Sequence, residues 1–246
     1  MTALEDAPAA AEAPTTEEQA RALATRWANE QAARLTEQVQ NYMAKKNGQS
    51  NGEVTPRIGG PTTYDPFGNP YVPFDVVATS PITVAGPQLY PPSKIIAAGS
   101  LSFLVAFIWA NPVSDTLAGW AVPANVQLGG LPWRMTVDLT NLTNGSTATL
   151  ALDDTFPGPA QPITPVIFLL PTPDPGMGND PSLMEANVTV YVDFPAKPYA
   201  AFATNFWDID NDPGFPFAPY FPILPTVPPE TSGYRYDLPN RYLIYP

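Results

Sequence analysis

The side chains best placed to do chemistry lie in one acidic run, Asp208-Ile209-Asp210-Asn211-Asp212-Pro213-Gly214. Alternate carboxylates ahead of a glycine gather oxygen donors around one point, and hard oxygen donors suit Ca2+. Asp208, Asp210 and Asp212 are therefore the candidate metal ligands, and Ca2+ is the one cofactor the sequence suggests. Two departures weaken the pattern. Pro213 displaces the glycine by one position, and no glutamate follows at the distance an EF-hand loop requires. A solvated acidic turn is the competing reading.

Little other chemistry is available. The chain has no His and no Cys. That removes the commonest general base, every His-dependent triad, thiolate metal sites and disulfides. Asp153 and Asp154 are adjacent at the end of an expected strand, so they point to opposite faces and make a poor catalytic pair. Gly129 and Gly130 open no helix and precede no Lys, unlike a phosphate loop, and no G-x-S-x-G elbow is present. Asn141, Asn144 and Asn187 begin glycosylation triplets, but no secretory signal accompanies them. Trp120, Trp133 and Trp207 could stack on sugars, with core or interface packing as the alternative use.

Composition bounds the partners. Of 246 residues, 44% are hydrophobic and only 14% charged, against about 25% charged in an ordinary globular protein. A surface so poor in charge is expected to be covered in part by other subunits. Net charge is −12, and the residues after Lys46 hold 16 acids and six bases. An acidic body without a basic stripe argues against nucleic acid and against anionic membranes. The first residues have neither a basic start nor an apolar stretch, so the expectation is cytoplasmic synthesis without a signal peptide.

These side chains need elements to hold them. Residues 1–14 form an acidic, Ala/Pro-rich leader. Thr15-x-x-Glu18 fits a capping box, and an amphipathic helix is expected over residues 15–47, with its core near 16–45. Its apolar side chains include Leu23, Trp27, Leu35 and Val39, spaced by alanines and interrupted by Gln31. Such a stripe packs either on the chain's own β domain or on a neighbouring copy. Residues 48–70 are a turn-rich linker.

From residue 71 to 195 the period becomes two, and seven or eight short strands with no second helix are expected. Candidate strands cover 74–79 and 82–84, split by Pro81. Residues 101–109 are nearly all apolar, which requires cover on both faces. A hairpin over 133–154 turns at Asn144-Gly145. A two-residue turn there sets Leu139 opposite Leu150 and Val137 opposite Leu152. Strands at 166–170 and 188–194 follow, the latter with Val188, Val190, Val192 and Phe194 inward and Thr189, Tyr191 and Asp193 outward. The pattern predicts a mainly β fold, an antiparallel β-sandwich or jelly roll. Residues 196–246 hold many prolines among aromatics and read as an extended arm outside the sheets.

Taken together, these features predict a non-enzymatic structural protein. It would be a self-associating subunit of a shell, filament or virion, whose partners are copies of itself or other subunits of the same assembly. The helix residues Leu23, Trp27, Leu35 and Val39 and the arm residues Phe217, Tyr220, Phe221, Tyr242 and Tyr245 are the expected contacts. The alternative is a carbohydrate-binding β-sandwich module, assisted by Ca2+.

Overall fold

A computed structural model describes residues 16–48, 74–110, 123–172, 180–194, 197–202, 204–205 and 240–246. Within them the chain is mainly β. The elements are α1 (Glu17–Gly48), β1 (Phe74–Ala78), β2 (Ile82–Ala85), β3 (Gln88–Tyr90), β4 (Ile95–Ala97), β5 (Leu101–Ala110), α2 (Ala124–Leu128), β6 (Pro132–Asn141), β7 (Thr147–Thr155), β8 (Ile163–Leu169), β9 (Ser182–Phe194), β10 (Lys197–Phe202), β11 (Thr204–Asn205) and β12 (Asn240–Tyr245). This exceeds the expected strand count, and α2 is a second helix that was not expected. Its five residues are too few to show helical periodicity in sequence.

The strands make two six-stranded sheets. In the first, β5 is flanked by β8 on one side and by β1 and β2 end to end on the other. Thr79, Ser80 and Pro81 separate β1 from β2, as the proline predicts. β3 pairs with β2, and β11 runs parallel to β1. In the second sheet β9 takes the same central role. It lies between β6 and the end-to-end pair β12 and β10, with β7 outside β6 and β4 outside β12.

β5 explains how the layers stack. Its side chains alternate between two cores, and nearly all are fully buried. Leu104, Ala106, Ile108 and Ala110 join Trp133, Met135, Val137, Leu139, Val188, Val190 and Val192 of the second sheet. Phe103, Val105, Phe107 and Trp109 join Ala20, Ala24, Ala28, Ala32 and Leu35 of α1. The nearly continuous apolar run is thus the sequence mark of a strand covered on both faces. The alanines recur every fourth residue, so they form one stripe along α1 and let its backbone sit close to the sheet. Gln31, which interrupts the apolar pattern, is buried with them.

α1 begins one residue later than the predicted capping box. Gln19 N donates to Thr16 Oγ1 at 3.3 Å, and Thr16 N donates to Gln19 Oε1 at 3.2 Å. Thr15-x-x-Glu18 and Thr16-x-x-Gln19 are overlapping frames of the same motif, and the second is used. Glu17 and Glu18 then sit in the first turn, where the helix dipole favours them.

The hairpin also differs from expectation. Val137 faces Leu150, Met135 faces Leu152 and Leu139 faces Ala148, a shift of two residues from the predicted pairing. The loop is 142–145. Gly145 N donates to Asn141 O at 2.7 Å and Asn141 N donates to Ser146 O at 2.8 Å. Asn141 Oδ1 accepts from Thr143 N and Asn144 N, so Asn141 opens the turn. Gly145 closes it at φ +76°, a left-handed conformation suited to glycine. A shift of two keeps every side chain on its face, which is why the hydrophobic pattern could not separate the two registers.

Past Pro195 the described segments 197–202, 204–205 and 240–245 are strands of the two sheets, contrary to expectation, while 206–239 of the expected arm lie outside the described residues. β10 pairs with β9 from Lys197 to Phe202, and β12 pairs with β9 from Asn240 to Ile244. β12 is a proline-free stretch whose Asn240, Tyr242 and Ile244 are buried. Asn240 Nδ2 donates to Thr79 O at 3.0 Å, tying it to the break between β1 and β2. In β9, Val188, Val190 and Val192 are buried and Tyr191 is exposed, as expected. Thr189 is buried although the alternation places it outward.

Candidate functional site

The outward face of the second sheet carries an unusual surface. Strand register places Ile95 of β4 beside Leu243 of β12, and Leu243 beside Leu183 of β9. Leu142 N donates to Leu183 O at 2.8 Å, which adds Leu142 to the same row. Side chains on one face of a sheet recur every second residue, so Tyr245 lies on this face next to Leu243. Exposure is 61% for Ile95, 58% for Tyr245, 44% for Leu142 and 40% for Leu183. The inward neighbours of these residues, Ile96, Tyr242, Ile244 and Met184, belong to the core between the sheets.

A polar band borders this row. Arg241 Nε meets Glu185 Oε2 at 2.8 Å, and Asn187 Nδ2 donates to Glu185 Oε1 at 3.4 Å. Thr149 Oγ1 donates to Asp138 Oδ1 at 2.7 Å. Farther along, Arg134 meets Asp153 Oδ2 at 3.6 Å. Exposed pairs of this kind contribute little stability. They place hydrogen-bonded polar groups beside the apolar strip.

The expected site residues are scattered. Asp208, Asp210 and Asp212 lie outside the described residues, and so do Phe217, Tyr220 and Phe221. Among the described residues no group of three or more carboxylates is gathered to hold a metal. Asp153 turns to Arg134, while Asp154 Oδ1 accepts from Thr155 N at 2.7 Å. Trp133 is buried between the sheets and offers no face to a sugar; Trp120 and Trp207 are outside the described residues. Among the described residues, no helix is long and apolar enough to cross a membrane.

Of the helix contacts, Leu35 is buried on the chain's own sheet, and Leu23 and Trp27 are half-buried at the margin of that core. Val39 falls within α1, with its side chain outside the described set. The stripe is used, at these positions, on this chain's own first sheet. Tyr242 is likewise a core residue. Its hydroxyl has no partner among the described residues, and burial pushes its pKa from 10.0 up to about 12. Tyr245 alone among the expected contacts is both described and freely exposed.

Sequence inspection passed over Ile95, Leu142, Leu183 and Leu243. The signal was faint. β4 is three residues long, and the four side chains come from four separate segments. Alternation in NRYLIY was the one usable clue, since it marks a strand with an apolar residue on its outer face. No known protein family matches the chain, and no curated protein does.

Proposed function

We propose that the chain is a non-enzymatic structural subunit that associates with copies of itself, or with other subunits of one shell, filament or virion. In this reading its two sheets form a sandwich of the jelly-roll kind. The observation that carries the reading is the apolar row Ile95, Leu243, Leu183 and Leu142 with Tyr245, contiguous across four segments of one sheet face. Isolated exposed apolar residues need no explanation, but a contiguous row rimmed by paired charges marks a contact surface. The surface offered to neighbours is thus the second sheet's outer face. The helix stripe, by contrast, is occupied at home. Scarcity of charge and the absence of His and Cys support the same reading.

The test is size-exclusion chromatography with light scattering on the full chain and on Leu183→Glu and Ile95→Glu variants. Both substitutions fall on exposed positions, so the fold should tolerate them. The expected result is a multimer that the charged variants break into smaller species. A strictly monomeric chain at every concentration would overturn the reading.

A further inference from the structure

The second sheet ends in a long, unguarded strand. Among the described residues β7 pairs only with β6, in an unbroken register from Thr155 opposite Pro132 to Thr147 opposite Thr140. Its other edge is uncovered among the described residues, and all its residues except Leu150 and Leu152 are exposed. Proteins usually blunt such edges with Lys, Pro, a bulge or shortness. The opposite edge of this sheet, β4, is three residues long, and β8 in the first sheet carries Pro165. From residue 147 to 152 β7 has none of these devices.

Hydrogen-bond parity shows which groups are free. Asn141 N donates to Ser146 O at 2.8 Å at one end of the hairpin. Phe156 N donates to Leu131 O at 3.0 Å, and Gly130 N donates to Phe156 O at 2.9 Å, at the other. In an antiparallel ladder bonded residues alternate, so the even residues of β7 turn their backbone groups toward β6. Thr147, Thr149, Ala151 and Asp153 turn theirs outward. The next outward N–H, that of Thr155, is taken by Asp154 Oδ1. The free edge therefore runs over 147–153, and its midpoint is Leu150.

We infer that this edge pairs with β7 of a second copy, antiparallel about a two-fold axis at Leu150, to give one sheet continuous across two chains. The inference rests on the proposed self-association and adds to the outer-face row a second contact, at the far edge of the same sheet. In this register Thr147 bonds Asp153 of the partner strand and Thr149 bonds Ala151, so every outward N–H over 147–153 meets a carbonyl. Leu150 meets its own counterpart, and Ala148 meets Leu152, on the face that continues the core between the sheets. The carboxylates fit only this direction. Antiparallel pairing sets Asp153 against Thr147, whereas a parallel seam in register would stack Asp153 on Asp153 and Asp154 on Asp154.

Ala151→Pro tests the seam. Its N–H points away from β6, so the hairpin keeps its ladder while the seam loses a donor and gains a clash. In sedimentation of the full chain carrying Leu183→Glu, which disables the outer-face row, a dimer should remain, and adding Ala151→Pro should abolish it with the melting transition kept. Independently of any variant, residue-resolved hydrogen exchange along a dilution series should show Thr147, Thr149, Ala151 and Asp153 losing protection together. The even residues of β7 should stay protected throughout. Association that leaves those odd amides fast-exchanging, a Leu183→Glu chain that is already monomeric, or a Leu183→Glu dimer that survives Ala151→Pro overturns the β7 seam but not the proposed function. A chain that never associates overturns both.

Discussion

Replacing Ala28 by Leu should destabilise the protein, while the same change at Ala33 should not. Ala28 has no exposed surface, nor has Ala20 or Ala24. The first-sheet residues of the same core, Phe103, Val105, Phe107 and Trp109, are equally shut off from solvent. A larger side chain at Ala28 has no solvent to extend into, so helix and sheet must separate or adopt strained rotamers, at about 1–3 kcal/mol. Ala33 lies on the exposed face of the same helix, and Leu is nearly as good a helix former as Ala. That variant should stay within about 0.5 kcal/mol of the parent. For a chain of this size 1 kcal/mol moves Tm by about 2–4 °C, so Ala28→Leu should melt roughly 2–12 °C lower. Urea and thermal unfolding followed by circular dichroism measure both. If the two variants melt alike with helix content intact, α1 does not lie on the first sheet, and the two-core description fails.

Three further outcomes are expected. Tyr242 keeps its proton in the folded chain to about pH 12, while in the unfolded chain it ionises near 10.0. Stability is therefore fully retained below pH 10 and falls as pH rises toward 12, by about 2–3 kcal/mol. Tyr242→Phe should flatten that decline in urea titrations between pH 8 and 12, and should be neutral or stabilising at pH 8, because the hydroxyl it removes is buried without a partner among the described residues. Thr16→Ala should cost about 1 kcal/mol in urea melts and Thr15→Ala close to nothing, which separates the two overlapping capping frames. Gly145→Ala meets no atom within 4 Å, so its cost of about 1–2 kcal/mol is backbone conformation alone, and Asn141→Ala, which loses two amide bonds, should cost about 1 kcal/mol. Differential scanning calorimetry reads both.

The fold was legible where one rule dominates. A nearly continuous apolar run rich in β-branched and aromatic residues reads as a strand with two covered faces, and β5 is that strand. A capping motif followed by spaced alanines had to be a helix, and α1 follows within a residue of the expected start. Legibility failed where two arrangements satisfy the same rule. Asn141 and Asn144 both suit a turn, and registers two apart bury the same faces, so polarity could not choose between them. Proline density misled in the tail, because the rule against ladders applies residue by residue and NRYLIY contains no proline. The apolar row was illegible for a different reason. Its members are adjacent only through pairing of β4, β12 and β9, which are joined by no short turn that sequence could reveal.

β5 has a mechanical consequence. Neighbouring residues along it, such as Phe107 and Ile108, are anchored in different layers, so peeling the helix away would pull on the same backbone that holds the second sheet's contacts. Neither layer has a private foundation. The described parts should therefore open as one cooperative unit, with the amides of this strand among the last to exchange.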